Sequence, residues 1–267
     1  FEMQKIAINS VKKIICAITV LTLLSSTVFS PVDAASKFKT YEKTTTSSGA
    51  IKAKGYDYSK SVPQNGKQSA SYFNSAAFFG DSRTVDLYIY SSLKDTKAKP
   101  YCDVGLNVST ALTKKFVNYS GKKVTALYAL KKNKKSIKSV YLMFGLNELG
   151  WGVSGFIKAY KKLINEIRAI VPNAVIYVQS ILPVTKSRDR SDDVHNNKRI
   201  KKFNKELKKM CNTKRVFYID AYNIMTNSKG YLPESAASDG IHFNSSCCEK
   251  WLTYLKKRTV VIKKAKK

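Results

Sequence analysis

Five short apolar runs punctuate the chain beyond residue 71: Ala76 to Phe79, Tyr101 to Val104, Ser139 to Phe144, Ala174 to Gln179 and Val216 to Ile219. They are rich in Val, Ile, Tyr and Phe, and most lack the apolar-polar alternation of a strand with one wet face. Between the last three lie amphipathic stretches. One begins at Ser154, a good N-cap, sets Phe156, Tyr160, Leu163, Ile164 and Ile167 on one face, and stops before Pro172. Another, from about Asn197 to Met210, spaces Ile200, Phe203, Leu207 and Met210 helically. A shorter helix is expected near Val124 to Lys132, and a last one carries Trp251, Leu252 and Leu255. Strands apolar on both faces and alternating with helices predict a three-layer α/β/α sandwich around a central, mostly parallel five-stranded sheet. Ligands of such sheets sit beyond the carboxyl ends of the strands.

That rule directs attention to the strand ends. The first run ends in Gly80-Asp81-Ser82, the second in Gly105, the third in Gly145-Leu146-Asn147, and "SDGIHFN" near the C-terminus holds Asp239 and His242. Gly-Asp-Ser fits an ordinary surface turn as well as an exposed nucleophile. A serine nucleophile needs a base in reach, a group that orients the base, and donors for the developing oxyanion. The chain has only two histidines. His242 lies three residues after Asp239, so one tight turn can join carboxylate and ring, whereas His195, in "RSDDVHNN", reads as a solvated loop residue. An isolated Asp-x-x-His matches often by chance.

Taken together, and in this order, these pieces resemble the SGNH hydrolases, the GDSL-type esterases and lipases, over about residues 72 to 257. The resemblance implies the same α/β/α fold and ester hydrolysis through an acyl-enzyme. It implies Ser82 as nucleophile, His242 as base and Asp239 as its partner, with the Ser82 and Gly105 N–H groups and the Asn147 amide as oxyanion donors. Asp81 then has a structural role in the turn. Many members carry Asp after the Asn, where this chain has Glu148. Arg83 is left with three readings: a contact to an acidic substrate, a salt bridge, or a solvated side chain.

Other chemistries lose their support. "GWGVSG", residues 150 to 155, matches a dinucleotide fingerprint, but the following "AVIYVQS" supplies no carboxylate for a ribose. The glycines read as loop and helix-start residues. There is no His-Glu-x-x-His, Cys-x-x-Cys, Gly-Lys-Ser or Gly-x-Ser-x-Gly, so neither a metal nor a cofactor is expected.

Residues 1 to 34 read as an export signal: Lys5, Lys12 and Lys13, then a largely apolar Ile14 to Phe29, then Val32-Asp33-Ala34. A retained anchor is the alternative, although the apolar run is shorter than the ~20 residues of a spanning helix. Residues 35 to 70, rich in Ser, Thr and Lys, are expected to be a flexible leader or a strap, and 71 to 267 the hydrolase domain. The formal net charge of +30 predicts attraction to anionic wall polymers or a membrane surface, with no nucleic acid expected outside the cell. Cys102, Cys211, Cys247 and Cys248 are expected to be mostly buried or free thiols. The function expected is a secreted or cell-wall-associated esterase acting on an acylated glycan or another ester. A lipid acylhydrolase, a glycan O-acyltransferase and a non-catalytic wall-binding protein on the same fold are the alternatives.

Overall fold

The computed structural model describes residues 38–46 and 49–264; the expected export signal lies outside the described residues. The central sheet is built from β3 (Ala76–Gly80), β4 (Lys99–Cys102), β7 (Ser139–Met143), β8 (Val175–Gln179) and β9 (Phe217–Ile219). Its order is β4-β3-β7-β8-β9, and every pairing is parallel. Counting only these five strands, the order is 2-1-3-4-5, so the connections change direction between β3 and β7. In a doubly wound sheet that switch opens the crevice where ligands bind.

Alternate residues of each strand feed opposite layers. Phe79, Val140, Leu142, Ile176 and Val178 pack with helices α2 (Ala126–Asn133), α3 (Val153–Ile170) and α5 (Asn197–Lys214). Phe78, Tyr141, Met143, Tyr177 and Phe217 pack with α1 (Ser82–Tyr90) and α6 (Ser245–Lys256). The short α4 (Lys186–Ser191) precedes α5. Phe78, Tyr141 and Tyr177 occupy neighbouring positions across three strands and stack, with ring centroids 4.8 and 4.6 Å apart. Each such ring contributes roughly 1.5–3 kcal/mol through burial, and the ladder fixes the register from β3 to β8. Among the described residues no helix is long and apolar enough to cross a membrane.

Several boundaries differ from the sequence reading for identifiable reasons. The second strand is Lys99–Cys102 rather than Tyr101 to Val104, because Val104 lies in the following turn with 66% of its surface exposed. Helix α3 begins at Val153 with Gly152 as N-cap, not Ser154; Val153 packs against the core and so joins the first turn. Val124 belongs to a hairpin, β5 (Lys115–Tyr119) and β6 (Lys122–Thr125), turned by Ser120 and Gly121, both at positive φ.

Residues 38–69 are not a free leader. Strand β1 (Thr40–Thr45) pairs with β2 (Ile51–Ala53) and lies parallel to the last strand, β10 (Val261–Lys263). Tyr58 and Val62 are buried in the α1–α6 layer, and Tyr56 packs edge-on against Phe217. These aromatic anchors, scattered through polar sequence, outweigh the Ser/Thr/Lys composition. The four described cysteines are unpaired thiols, Cys211 and Cys248 buried and Cys102 and Cys247 partly so.

Candidate active site

The end of β3 has room only for glycine before the turn. A Cβ on Gly80 would lie 1.9 Å from Thr84 Oγ1 and 2.7 Å from the Met143 carbonyl. Asp81 then caps α1, its carboxylate accepting the Arg83 N–H at 3.0 Å. Burial raises its pKa to about 6, against the opposing pull of Arg83. Ser82 is thereby the first residue of α1, where the backbone N–H has no intrahelical partner. Its side chain is left at the positive end of the helix, which favours developing negative charge.

Ser82 Oγ meets His242 Nε2 at 2.8 Å, and His242 Nδ1 meets Asp239 Oδ2 at 2.6 Å. The second Asp239 oxygen accepts the N–H groups of Ile241 and His242 at 2.9 and 2.8 Å. Burial alone would raise the Asp239 pKa, but these donors bring it down to about 2. The carboxylate is therefore ionised wherever the ring is neutral, and its contact makes Nδ1 the protonated nitrogen and Nε2 the acceptor for the serine. The three residues form one chain of hydrogen bonds.

Asn147 follows β7 and donates its amide to the Leu106 carbonyl at 2.8 Å. That bond ties it to the turn after β4, in which Gly105 sits exposed at φ +70°. Gly145 needs its φ of +135°, and a Cβ there would meet Ile181 at 2.2 Å. Beneath the turn lies Glu148, fully buried, with one oxygen accepting the Val108 N–H at 2.6 Å and the other without a partner. Desolvation pushes its pKa up to about 8, so it holds a proton at neutral pH.

A folded-state pKa above the unfolded one stabilises the protein fully below the ordinary carboxylate range and loses that contribution as pH rises through about 8. Glu148→Gln keeps the acceptor for Val108 and cannot ionise. Its stability relative to wild type should climb between pH 5 and pH 9 by on the order of 4 kcal/mol. Urea unfolding at several pH values measures the difference, and a flat difference would refute the assignment.

Arg83 fits none of its three expected readings. It is fully buried and donates to the carbonyls of Ile241, Leu182 and Pro183 at 3.1, 2.6 and 3.1 Å, with its guanidinium 4.9 Å from the Phe243 ring. His195 is not simply solvated either. Its Nδ1 meets Asp192 at 2.8 Å in a turn that repeats the Asp239–His242 arrangement, and donors from His195 and Val194 hold the Asp192 carboxyl well below its ordinary range. Among the described residues no serine hydroxyl bonds this second imidazole. Asp86, one helical turn beyond Ser82, borders a cleft beside His242 and was not singled out from sequence; its spacing from Ser82 on a helix is the signal available. Among the described residues no group of three or more His, Cys, Asp or Glu is placed to hold a metal.

The profile of the GDSL-like lipase/acylhydrolase family matches residues 78–247, which span the strand end at Gly80 and the turn at His242. Among solved structures, the chain is similar to a Streptococcus pneumonia protein named for platelet activating factor, at 18% identity and a TM-score of 0.53, covering 70% of this chain and 87% of that one. It is also similar to a GDSL-like lipase from Bacteroides thetaiotaomicron, at 12% identity and a TM-score of 0.50, covering 72% and 88%. At these identities the likeness is one of fold. No curated protein sequence matches the chain significantly.

Proposed function

Because the chain belongs to the GDSL-like lipase/acylhydrolase family and is an ester hydrolase, we propose that it is a secreted serine esterase that removes O-acetyl or other small acyl groups from a carbohydrate or cell-wall polymer. The observation that carries this mechanism is the continuous hydrogen-bonded chain from Ser82 through His242 to Asp239.

In this reading Ser82 Oγ attacks the ester carbonyl while His242 Nε2 takes its proton, and Asp239 steadies the imidazolium that forms. The Ser82 and Gly105 N–H groups and the Asn147 amide take the oxyanion, which strengthens as the carbonyl becomes tetrahedral. His242 then gives its proton to the departing alcohol. In the second half it deprotonates a water that attacks the acyl-serine, and the proton returns to Ser82 as the acid leaves.

Two features support a polymeric substrate. The His242 and Asp239 side chains are 43% and 50% exposed, so an ester on a large chain can reach them from solvent. The net charge of +30 draws anionic wall polymers toward the molecule. Residues 1 to 34, read as an export signal, support the same extracytoplasmic location.

A serine-reactive fluorophosphonate should modify Ser82 alone, located by peptide mass spectrometry. Acetate release from an O-acetylated polysaccharide should outpace fatty-acid release from long-chain esters. A protein that binds wall polymer but is never modified would be a binding module instead, and a preference for long chains would make it a lipid acylhydrolase.

A further inference from the structure

The cleft beside His242 has a charge character opposite to that of the molecule around it. It holds about 570 Å³, and its walls include Asp86, Tyr90, Glu234, Ser235, Ser238 and His242. Among the described residues no lysine or arginine lines it, in a chain carrying 48 of them. Asp86 is 9% exposed; one oxygen accepts the Phe243 N–H at 3.2 Å, and the other is left to the cleft. His242 and Arg83 act on Asp86 through space, while three of the five Arg83 N–H groups donate to the backbone carbonyls described above. Glu234 is held by Ser187, which donates to its two oxygens through N–H and Oγ at 2.9 and 2.6 Å. Tyr90, four residues after Asp86 and so on the same helix face, is 48% exposed.

A nearly buried carboxylate with one open oxygen, next to an exposed aromatic ring, is a receptor for an ammonium group. Resting on the esterase reading above, we propose that this cleft holds the alcohol portion of the ester and selects alcohols that carry a cationic nitrogen, such as an amino sugar with a free amine. The side of the reaction follows from the lining. His242 protonates the leaving oxygen, and the cleft borders His242 but not Ser82, Gly105 or Asn147, so it extends from the imidazole away from the oxyanion donors and receives the departing alcohol. Asp86 lies one helical turn from Ser82, a rise of ~6 Å, which places the nitrogen a few bonds beyond the leaving oxygen. Hydroxyls of Ser235 and Ser238 suit the remaining polar groups of a sugar. The basic exterior gathers an anionic polymer, and the acidic cleft then picks out its cationic units.

The test compares acetylcholine with its uncharged isostere 3,3-dimethylbutyl acetate, on the full-length protein and on Asp86→Asn, which retains an acceptor for the Phe243 N–H. Wild type should favour the cationic ester in kcat/KM by at least tenfold, and the ratio should fall about tenfold in the variant. Equal kcat/KM for the two esters in wild type, or an equal loss on both in Asp86→Asn, overturns the subsite. Binding of choline, followed by calorimetry, separates this from the esterase reading. If neither ester is hydrolysed but choline binds and Asp86→Asn weakens it tenfold, the subsite stands and the hydrolytic reading falls. Absence of saturable choline binding in a protein that hydrolyses the neutral ester overturns the subsite alone.

Discussion

Ser82→Ala should lose hydrolysis of p-nitrophenyl acetate by roughly 10⁴–10⁶-fold in kcat, the range seen when the nucleophile of a serine relay is removed. The size of the loss follows from what the hydroxyl alone supplies. Without it His242 has no nucleophile to activate for acyl transfer, and the oxyanion donors and the cleft retain only a residual advantage over water. The fold should be untouched, because Ser82 is small, stands at the first position of α1, and makes its side-chain bond to His242 alone. Thermal unfolding should therefore match wild type while turnover vanishes, which distinguishes lost chemistry from lost structure. Undiminished turnover of the acetyl ester in this variant would refute Ser82 as the nucleophile.

The largest loss of stability should come from Arg83→Met, at about 3–5 kcal/mol, the usual cost of breaking a buried charge arrangement by removing one side of it. Three backbone carbonyls, of Leu182, Pro183 and Ile241, lose their donors in a region closed to water. Asp81 and Asp86 also lose the positive charge that offsets them. Burial lowers the Arg83 pKa to about 10, so the guanidinium is still charged at neutral pH and the loss is present throughout the physiological range. Lysine cannot rescue the site, since a single ammonium does not reproduce a planar fork spread over three carbonyls. Ile241 precedes His242 in the chain, so activity should fall along with stability. Urea unfolding of wild type, Met and Lys variants gives the comparison, and a loss under about 1 kcal/mol in both variants would contradict this account.

Much of the sheet is readable from the apolar runs because parallel strands covered on both faces leave a dense, uninterrupted signal. The site residues are readable for a different reason: glycine, serine, asparagine and histidine fall where strands end, although both histidines follow an aspartate by three residues and that spacing does not separate His242 from His195. Arg83 escapes because its neighbours in sequence say nothing of three carbonyls about a hundred or more residues away, at Leu182, Pro183 and Ile241. The β5–β6 hairpin is hidden by a different competition. Its Ser120-Gly121 turn is a recognisable hairpin signal, but the apolar Val124 also continues the pattern of the helix behind it. Residues 38–69 are obscured by composition, since a few tyrosines and a valine decide their burial among many polar neighbours. Asp86 carries only its spacing of one helical turn from Ser82, which gains meaning once the cleft around it is seen.

The pairing of Thr40 with Val261 imposes an order on the birth of this molecule. The first described strand can pair at once with β2, but its other edge finds β10 only when almost the entire chain has been made. Contacts of such separation form late because the long loop between them has to close first. The central sheet can assemble beforehand from neighbouring segments, leaving the joined ends as the final latch. A chain cut before β10 would therefore leave β1 held along one edge only, by β2.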